Sequence, residues 1–167
     1  KIADEIREAW KEADLILTTG GVSVGEKDLL PGVIENLTGN VLFHGIQVKP
    51  GMPTMLSVVN GTPVLSLSGN PFAVEALFEV LAGGYLTDME AGRYLQKNQM
   101  KILKQTFVKT GKMKRIVKGR CDESGVYLPQ IQKNGQLKNG IGSNCLVIFP
   151  EGERTYTEGE AVWVIRI

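Results

Sequence analysis

The chain has 167 residues, of which 43% are hydrophobic and 22% are charged, a composition typical of a soluble protein with one domain or two small ones. The net charge of +1 argues against a nucleic-acid-binding surface. Because no apolar stretch could span a bilayer and the first residues show no signal-peptide pattern, we expect a cytoplasmic protein without nucleic-acid or membrane partners.

The first part of the chain predicts alternating helices and strands. Apolar residues recur at helical spacing from Ile2 to Ala13, and Leu15 to Thr19 is typical of a strand buried on both faces. A helix around Val33 to Leu37, closed by Gly39, and a strand over 41–48 follow. This order predicts the α/β fold class with crossover helices and a mixed, mostly parallel sheet.

A glycine-rich loop connects the first predicted strand to the following helix. Gly20, Gly21 and Gly25 allow sharp turns that bring backbone amides close to a ligand, and Ser23 adds a hydroxyl donor. Such a loop is a common phosphate site, although glycine loops often only turn a corner. Asp28 at its end is a candidate for metal binding or for orienting a reacting group. The alternative is that Asp28 caps the next helix, with Pro31 in its first turn.

Two further motifs follow. In the segment Lys49-Pro50-Gly51-Met52-Pro53 the prolines predict a stiff bend that presents Lys49 in a defined direction. Strands over 54–59 and 62–67 flank Asn60-Gly61, a strong hairpin signal.

The segment Ser68-Gly69-Asn70-Pro71 predicts the start of a helix that is capped by Asn70. The free backbone amides of this turn offer a second anion site, although a capped helix is the simpler interpretation. We expect the two turns to lie side by side, with their N–H groups converging on one oxyanion.

Beyond about Arg93 short alternating runs separated by turn signals predict a small all-β module, a partly closed barrel or a sandwich. Its basic run is most simply a solvated strand face, with contact to an anionic ligand or partner as the alternative. The run contains Lys109, Lys112, Lys114, Arg115, Lys118 and Arg120. Cys121 and Cys145 are too few for a disulfide framework, and with His44 they make a poor zinc set, so we expect reduced core cysteines. His44 favours a solvent-facing or hydrogen-bonded structural role.

Four motifs in order, TTGGVSVGEKD, VKPGMP, LSGNPF and GSNCLVIFPEG, resemble the molybdopterin molybdenumtransferase family over nearly the whole chain. The resemblance implies an incomplete three-layer, pterin-binding α/β domain over residues 1–90 and a small, barrel-like all-β domain over residues 91–167. It also implies the last step of molybdenum cofactor biosynthesis, in which molybdate is inserted into adenylylated molybdopterin with magnesium and AMP is released. The implied partners are molybdopterin or its adenylylated form, a second copy in a homodimer, and the molybdopterin adenylyltransferase.

The resemblance also assigns roles to individual residues. Asp28 and Lys49 match catalytic positions, and Asp28 matches a Mg²⁺ ligand, while molybdate is a substrate. Residues matching the substrate-binding positions are Gly20, Gly21, Ser23, Gly25, Ser68, Gly69, Asn70 and Pro71. Arg115, Arg120 and Asn144 fall in segments through which the β module closes over the site.

The chain departs from the family pattern in two residues and in length. Met52 replaces a common lysine and Ala73 a common serine, which removes two polar groups expected to face an oxyanion. Family members are more than twice as long, so we expect a fragment that is inactive alone. Two alternatives are a non-catalytic molybdopterin-binding scaffold and a nucleotide-hydrolysing relative.

Overall fold

The computed structural model describes residues 1–23, 28–83, 86, 98–129 and 142–167. A π-helical turn over Phe78–Ala82 directly follows the α-helix Pro71–Leu77. In chain order the elements are α1 (Ile2–Ala9), β1 (Ile16–Thr19), α2 (Leu30–Asn36), β2 (Asn40–His44), β3 (Val48–Lys49), β4 (Met55–Val59), β5 (Thr62–Leu67), α3 (Pro71–Leu77), β6 (Asn98–Ile102), β7 (Phe107–Lys109), β8 (Lys114–Cys121), β9 (Val126–Tyr127), β10 (Cys145–Phe149), β11 (Arg154–Tyr156) and β12 (Ala161–Arg166).

The chain forms two compact units. The first contains Lys1–Ile46 and Gly51–Val74, and the second contains Gln47–Pro50 and Glu75–Ile167. The domain boundary predicted between residues 90 and 91 lies outside the described residues and stays a prediction.

The first unit has a four-stranded sheet in the order β1-β5-β4-β2. Only β1 and β5 pair in parallel, whereas β5–β4 and β4–β2 are antiparallel. The sheet is mixed as predicted, but the expectation of a mostly parallel sheet is wrong for the described strands. The physical reason is the predicted hairpin: Asn60 (φ 49°) and Gly61 (φ 83°) are both left-handed and reverse the chain in two residues.

The apolar faces of helices α1 and α2 pack against one face of this sheet. Ile6, Ile34 and Val64 are in the resulting core. The end of α2 differs from the expected glycine cap, because Thr38 adopts the left-handed conformation (φ 54°). Gly39 is needed for space instead: a Cβ there would lie 2.8 Å from side-chain atoms of both Ile34 and Val59. The glycine therefore permits close packing of the helix end on the sheet.

The second unit contains a six-stranded sheet that includes the path β3-β8-β10-β12-β6, with β9 paired to β8, and a separate pair, β7–β11. Strands β3 and β6 end the path unpaired with each other, so no closed barrel forms among the described strands. The pair β7–β11 packs on the larger sheet through Phe107 and Tyr156, whose ring centroids lie 4.6 Å and 4.7 Å from that of Phe149. This arrangement is closer to the sandwich alternative, because the second layer comes from separate strands and not from sheet closure.

Two polar side chains in the second unit hold its backbone together. Lys109 is only 1% exposed, and its Nζ donates to the carbonyls of Gly111 and Gly152, so the prediction of a solvated basic face is wrong at this residue. Asn144 accepts the N–H of Cys121 at 2.7 Å and donates to the carbonyl of the same residue at 2.9 Å. The structure thus gives Asn144 a role in extending the ladder between β8 and β10.

Both cysteines are buried and free, in agreement with the prediction of reduced core residues. Burial, together with a hydrogen bond that the protonated Cys145 thiol donates to Cys121, raises the pKa of Cys145 to about 12.

Candidate functional site

The two turns predicted to bind an anion leave adjacent parallel strands. The last register pair of β1 and β5 joins Thr19 to Leu67, and Gly20 N donates to the Leu67 carbonyl at 2.9 Å. Parallel strands end at the same edge of a sheet, so the segments that follow β1 and β5 start at the same level. This topology brings the segment that begins at Gly20 beside the segment that begins at Ser68.

The turns touch through two glycines. A Cβ on Gly69 would lie 3.4 Å from Gly20 Cα, and a Cβ on Gly20 would lie 3.9 Å from Gly69 Cα. Gly20 also has a φ of 79°, which a side chain would strain. The backbone conformation of Gly20 therefore favours glycine, and the two backbones lie side by side, as the sequence predicts.

The glycine loop turns its carbonyls toward the protein. Gly20 and Gly21 are consecutive left-handed residues, and Gly21 O accepts the N–H of Leu30 at 3.0 Å. Val22 O lies 2.7 Å from His44 Nε2. Within a trans peptide the C=O and the following N–H point in opposite directions, so the amides of Val22 and Ser23 point away from these partners. No backbone carbonyl of the described residues accepts either amide, and the loop presents donors suited to an anion.

The second turn opens α3 in the predicted way. Asn70 Oδ1 accepts the N–H of Ala73 at 3.1 Å, and Pro71 is the first helical residue. Asn70 is therefore an N-cap, as expected from its position before proline. Ala73 is fully buried, so the expectation that a polar group here would face an oxyanion does not agree with the structure, whereas Met52 is half exposed.

Two buried hydroxyls lie beneath the turns. Thr18 and Ser66 are register partners on β1 and β5, and Thr18 Oγ1 and Ser66 Oγ have no hydrogen-bond partner among the described residues. Such groups usually find partners in folded proteins, and leaving one unpaired costs about 1–3 kcal/mol. The sequence signal for them is a hydroxyl residue two positions before each turn begins, at Gly20 and at Ser68.

Three further predicted site residues, Asp28, Ser23 and Lys49, are among the described residues. Asp28 is half-buried and lies one residue before Leu29, which is the N-cap of α2. Asp28 therefore does not occupy the N-cap position that the alternative interpretation of the sequence gives it. Ser23 is exposed at the end of the described part of the loop, and Gly25 lies outside the described residues. Lys49 is exposed on β3, which pairs in parallel with β8 in the second unit. The predicted bend follows it.

Among the described residues, the carboxylates could bind Mg²⁺ only together with oxygens of a substrate. Within the described ranges no three His, Cys, Asp or Glu side chains are grouped as a metal site. Mg²⁺ is commonly held by one or two carboxylates and by substrate phosphates, so Asp28 fits as a single protein ligand. Among the described residues no helix is long and apolar enough to cross a membrane.

Comparison with known proteins agrees with this geometry. Residues 1–88 match the family described as "Probable molybdopterin binding domain". The chain is 30% identical over 179 residues to the molybdopterin molybdenumtransferase of Bacillus subtilis and 29% identical over 165 residues to that of Staphylococcus aureus. It covers 42% and 39% of these relatives, while the matches cover 100% and 96% of the chain. It thus spans about two fifths of their length.

Solved structures give the same result. The molybdopterin biosynthesis MoeA protein of Pyrococcus horikoshii superimposes with a TM-score of 0.80 and 26% identity, over 99% of this chain and 40% of that one. A molybdenum cofactor biosynthesis protein of Pyrococcus furiosus has a TM-score of 0.74 at 24% identity, over 99% and 54% of the two chains, which supports the fold alone. With more than half of its residues matched, the chain belongs to the molybdopterin-binding family, and its resemblance to the molybdopterin molybdenumtransferases is confirmed.

Proposed function

We propose that this chain is the part of a molybdopterin molybdenumtransferase that holds the phosphate end of adenylylated molybdopterin. The whole protein would cleave the phosphoanhydride, insert molybdate into the dithiolene and release AMP. The observation that carries the proposal is the contact between Gly20 and Gly69, which brings two amide-bearing turns together at the end of two parallel strands.

Electrostatics favours an anionic ligand at this place. The carbonyls of Gly21 and Val22 are bound to Leu30 N and His44 Nε2, so the adjoining amides are held in a fixed direction. Preorganised amides stabilise a phosphate without the cost of reorienting when charge develops in the transition state. Molybdate and a pyrophosphate are both multiply charged anions and suit such a site.

The catalytic roles rest on the family resemblance. In this proposal Lys49 contributes positive charge near molybdate and phosphate, and Asp28 supplies one carboxylate oxygen to magnesium. When bound, magnesium would neutralise charge on phosphate oxygens. The functional protein is proposed to be a cytoplasmic homodimer that receives its substrate from the molybdopterin adenylyltransferase.

Calorimetric titration with adenylylated molybdopterin tests the ligand assignment. We expect this chain to bind the pterin but to lack molybdate insertion by itself. Gly69→Val would drive a side chain against Gly20 and should weaken binding by about tenfold or more, the loss expected when one strong hydrogen bond is displaced. Gly32→Val is the matched control, because a Cβ at Gly32 meets nothing within 4 Å.

The outcomes separate the proposed activity from its alternatives. Absence of pterin binding by the unmodified chain, or unchanged binding by Gly69→Val, would contradict the site. Pterin binding by the full-length protein without molybdate binding would indicate a non-catalytic scaffold. Turnover of the adenylylated pterin without molybdenum would indicate a nucleotide-hydrolysing relative.

A further inference from the structure

His44 lies on the edge strand opposite to the one from which the glycine loop starts, and yet its side chain contacts that loop. It is the last residue of β2, which lies at the opposite edge from β1. Its register partner is Met55, which pairs with Ser66, which in turn pairs with Thr18. The loop leaves β1 at the other end of this row, and yet Val22 O lies 2.7 Å from His44 Nε2. The imidazole therefore fixes the loop on the strand most distant from its origin.

The hydrogen bond determines the orientation of one peptide unit. A carbonyl oxygen only accepts, so His44 Nε2 carries the hydrogen. The Val22 side chain is 1% exposed and fixed in the core, which leaves rotation of the 22–23 peptide as the local freedom. Because Val22 C=O and Ser23 N–H belong to this one planar unit, holding the oxygen on His44 directs the Ser23 amide the opposite way.

We propose that His44 is a positioning residue for the anion-binding loop, acting through the Val22 carbonyl to direct the Ser23 N–H toward the ligand. This inference rests on the proposed function for the identity of the ligand, and adds a residue that the family resemblance does not assign. Without the imidazole N–H, the 22–23 peptide can rotate and present its carbonyl oxygen to the phosphate. An oxygen at that place repels an anion, so the consequence exceeds the loss of one donor.

Two substitutions distinguish positioning from a general structural role. His44→Gln keeps an N–H donor at a reach similar to that of Nε2, whereas His44→Phe keeps a planar ring and removes the donor. The readout is the Kd for adenylylated molybdopterin, measured by calorimetry, with the urea midpoint recorded for each variant. We expect His44→Phe to weaken binding by about tenfold, and His44→Gln to bind within about threefold of the unmodified chain.

Each outcome decides the proposal. Unchanged binding by folded His44→Phe overturns it, as does equal weakening by His44→Gln and His44→Phe. If the unmodified chain binds no pterin, the proposed function fails by itself, and NMR then tests the orientation. Altered Val22 carbonyl and Ser23 amide shifts in His44→Phe, with the Asn60-Gly61 turn unchanged, would support positioning, and unaltered shifts would overturn it.

Discussion

Asn144→Ala should destabilise the second unit by several kcal/mol. The Asn144 side chain accepts from Cys121 N at 2.7 Å and donates to Cys121 O at 2.9 Å, and Cys121 is 1% exposed. Truncation leaves one buried N–H and one buried C=O unpaired. At about 1–3 kcal/mol for each group, the expected loss is roughly 2–6 kcal/mol. The Asn144 backbone bond to Gly119 O would remain, so the strands should stay in register.

Urea unfolding at pH 7 measures this loss. Trp163 on β12 reports on the second unit, and a Trp10→Phe background removes the signal of the first. The matched control is Asn36→Ala, the same chemical change at an exposed residue of α2, for which we expect less than about 0.5 kcal/mol. If Asn144→Ala lowers the free energy of unfolding by no more than Asn36→Ala does, the hydrogen bonds of the Asn144 side chain do not stabilise the ladder between β8 and β10.

Three further predictions concern individual polar groups. Thr18→Val removes a buried hydroxyl without a partner among the described residues and should stabilise the chain by about 1 kcal/mol in urea unfolding; a loss of stability would show that the hydroxyl is bonded. Burial raises the pKa of Cys145 to about 12, so the Cys145 thiol of the native protein should resist iodoacetamide at pH 8, whereas that of the protein unfolded in urea should react fully. Equal alkylation rates in the two states would contradict this. The hydroxyl and amide of Ser124 lower the pKa of Asp122 from its ordinary value of 3.8. The stability that this carboxylate contributes is present above pH 3.8 and is lost as the pH falls through the lower pKa of the folded state. As the pH falls through this range, the urea midpoint should therefore decrease less for Asp122→Ala than for the unmodified chain. An equal decrease in both proteins would refute the role of Asp122.

Local chemistry explains why the turns were predictable. Asn60-Gly61 requires two left-handed residues, and Asn70-Pro71 combines a side-chain acceptor with a fixed φ, so each motif specifies its geometry within four residues. The pattern also predicts that the glycine loop and the second turn lie side by side, each after a predicted strand.

The errors concern pairings between distant segments. Alternating helices and strands suggested a mostly parallel sheet, but the hairpin that was itself predicted reverses β4 relative to β5. The basic run predicts a solvated face at Lys109, because nothing nearby in sequence reveals that β11 pairs with β7 or that the Gly152 carbonyl accepts from Lys109 Nζ. The bond between His44 and Val22 likewise joins strand and loop across 22 residues. Such contacts depend on tertiary packing, which a residue pattern does not encode directly.

The buried ammonium of Lys109 has a consequence for biosynthesis. Its acceptor on Gly152 lies 43 residues further along the chain. During translation the ammonium must stay hydrated until that later segment leaves the ribosome, because removing an uncompensated charge from water is costly. The layer formed by β7 and β11 can thus close only after residue 152 has been synthesised, and until then Lys109 stays hydrated instead of bridging two backbone carbonyls.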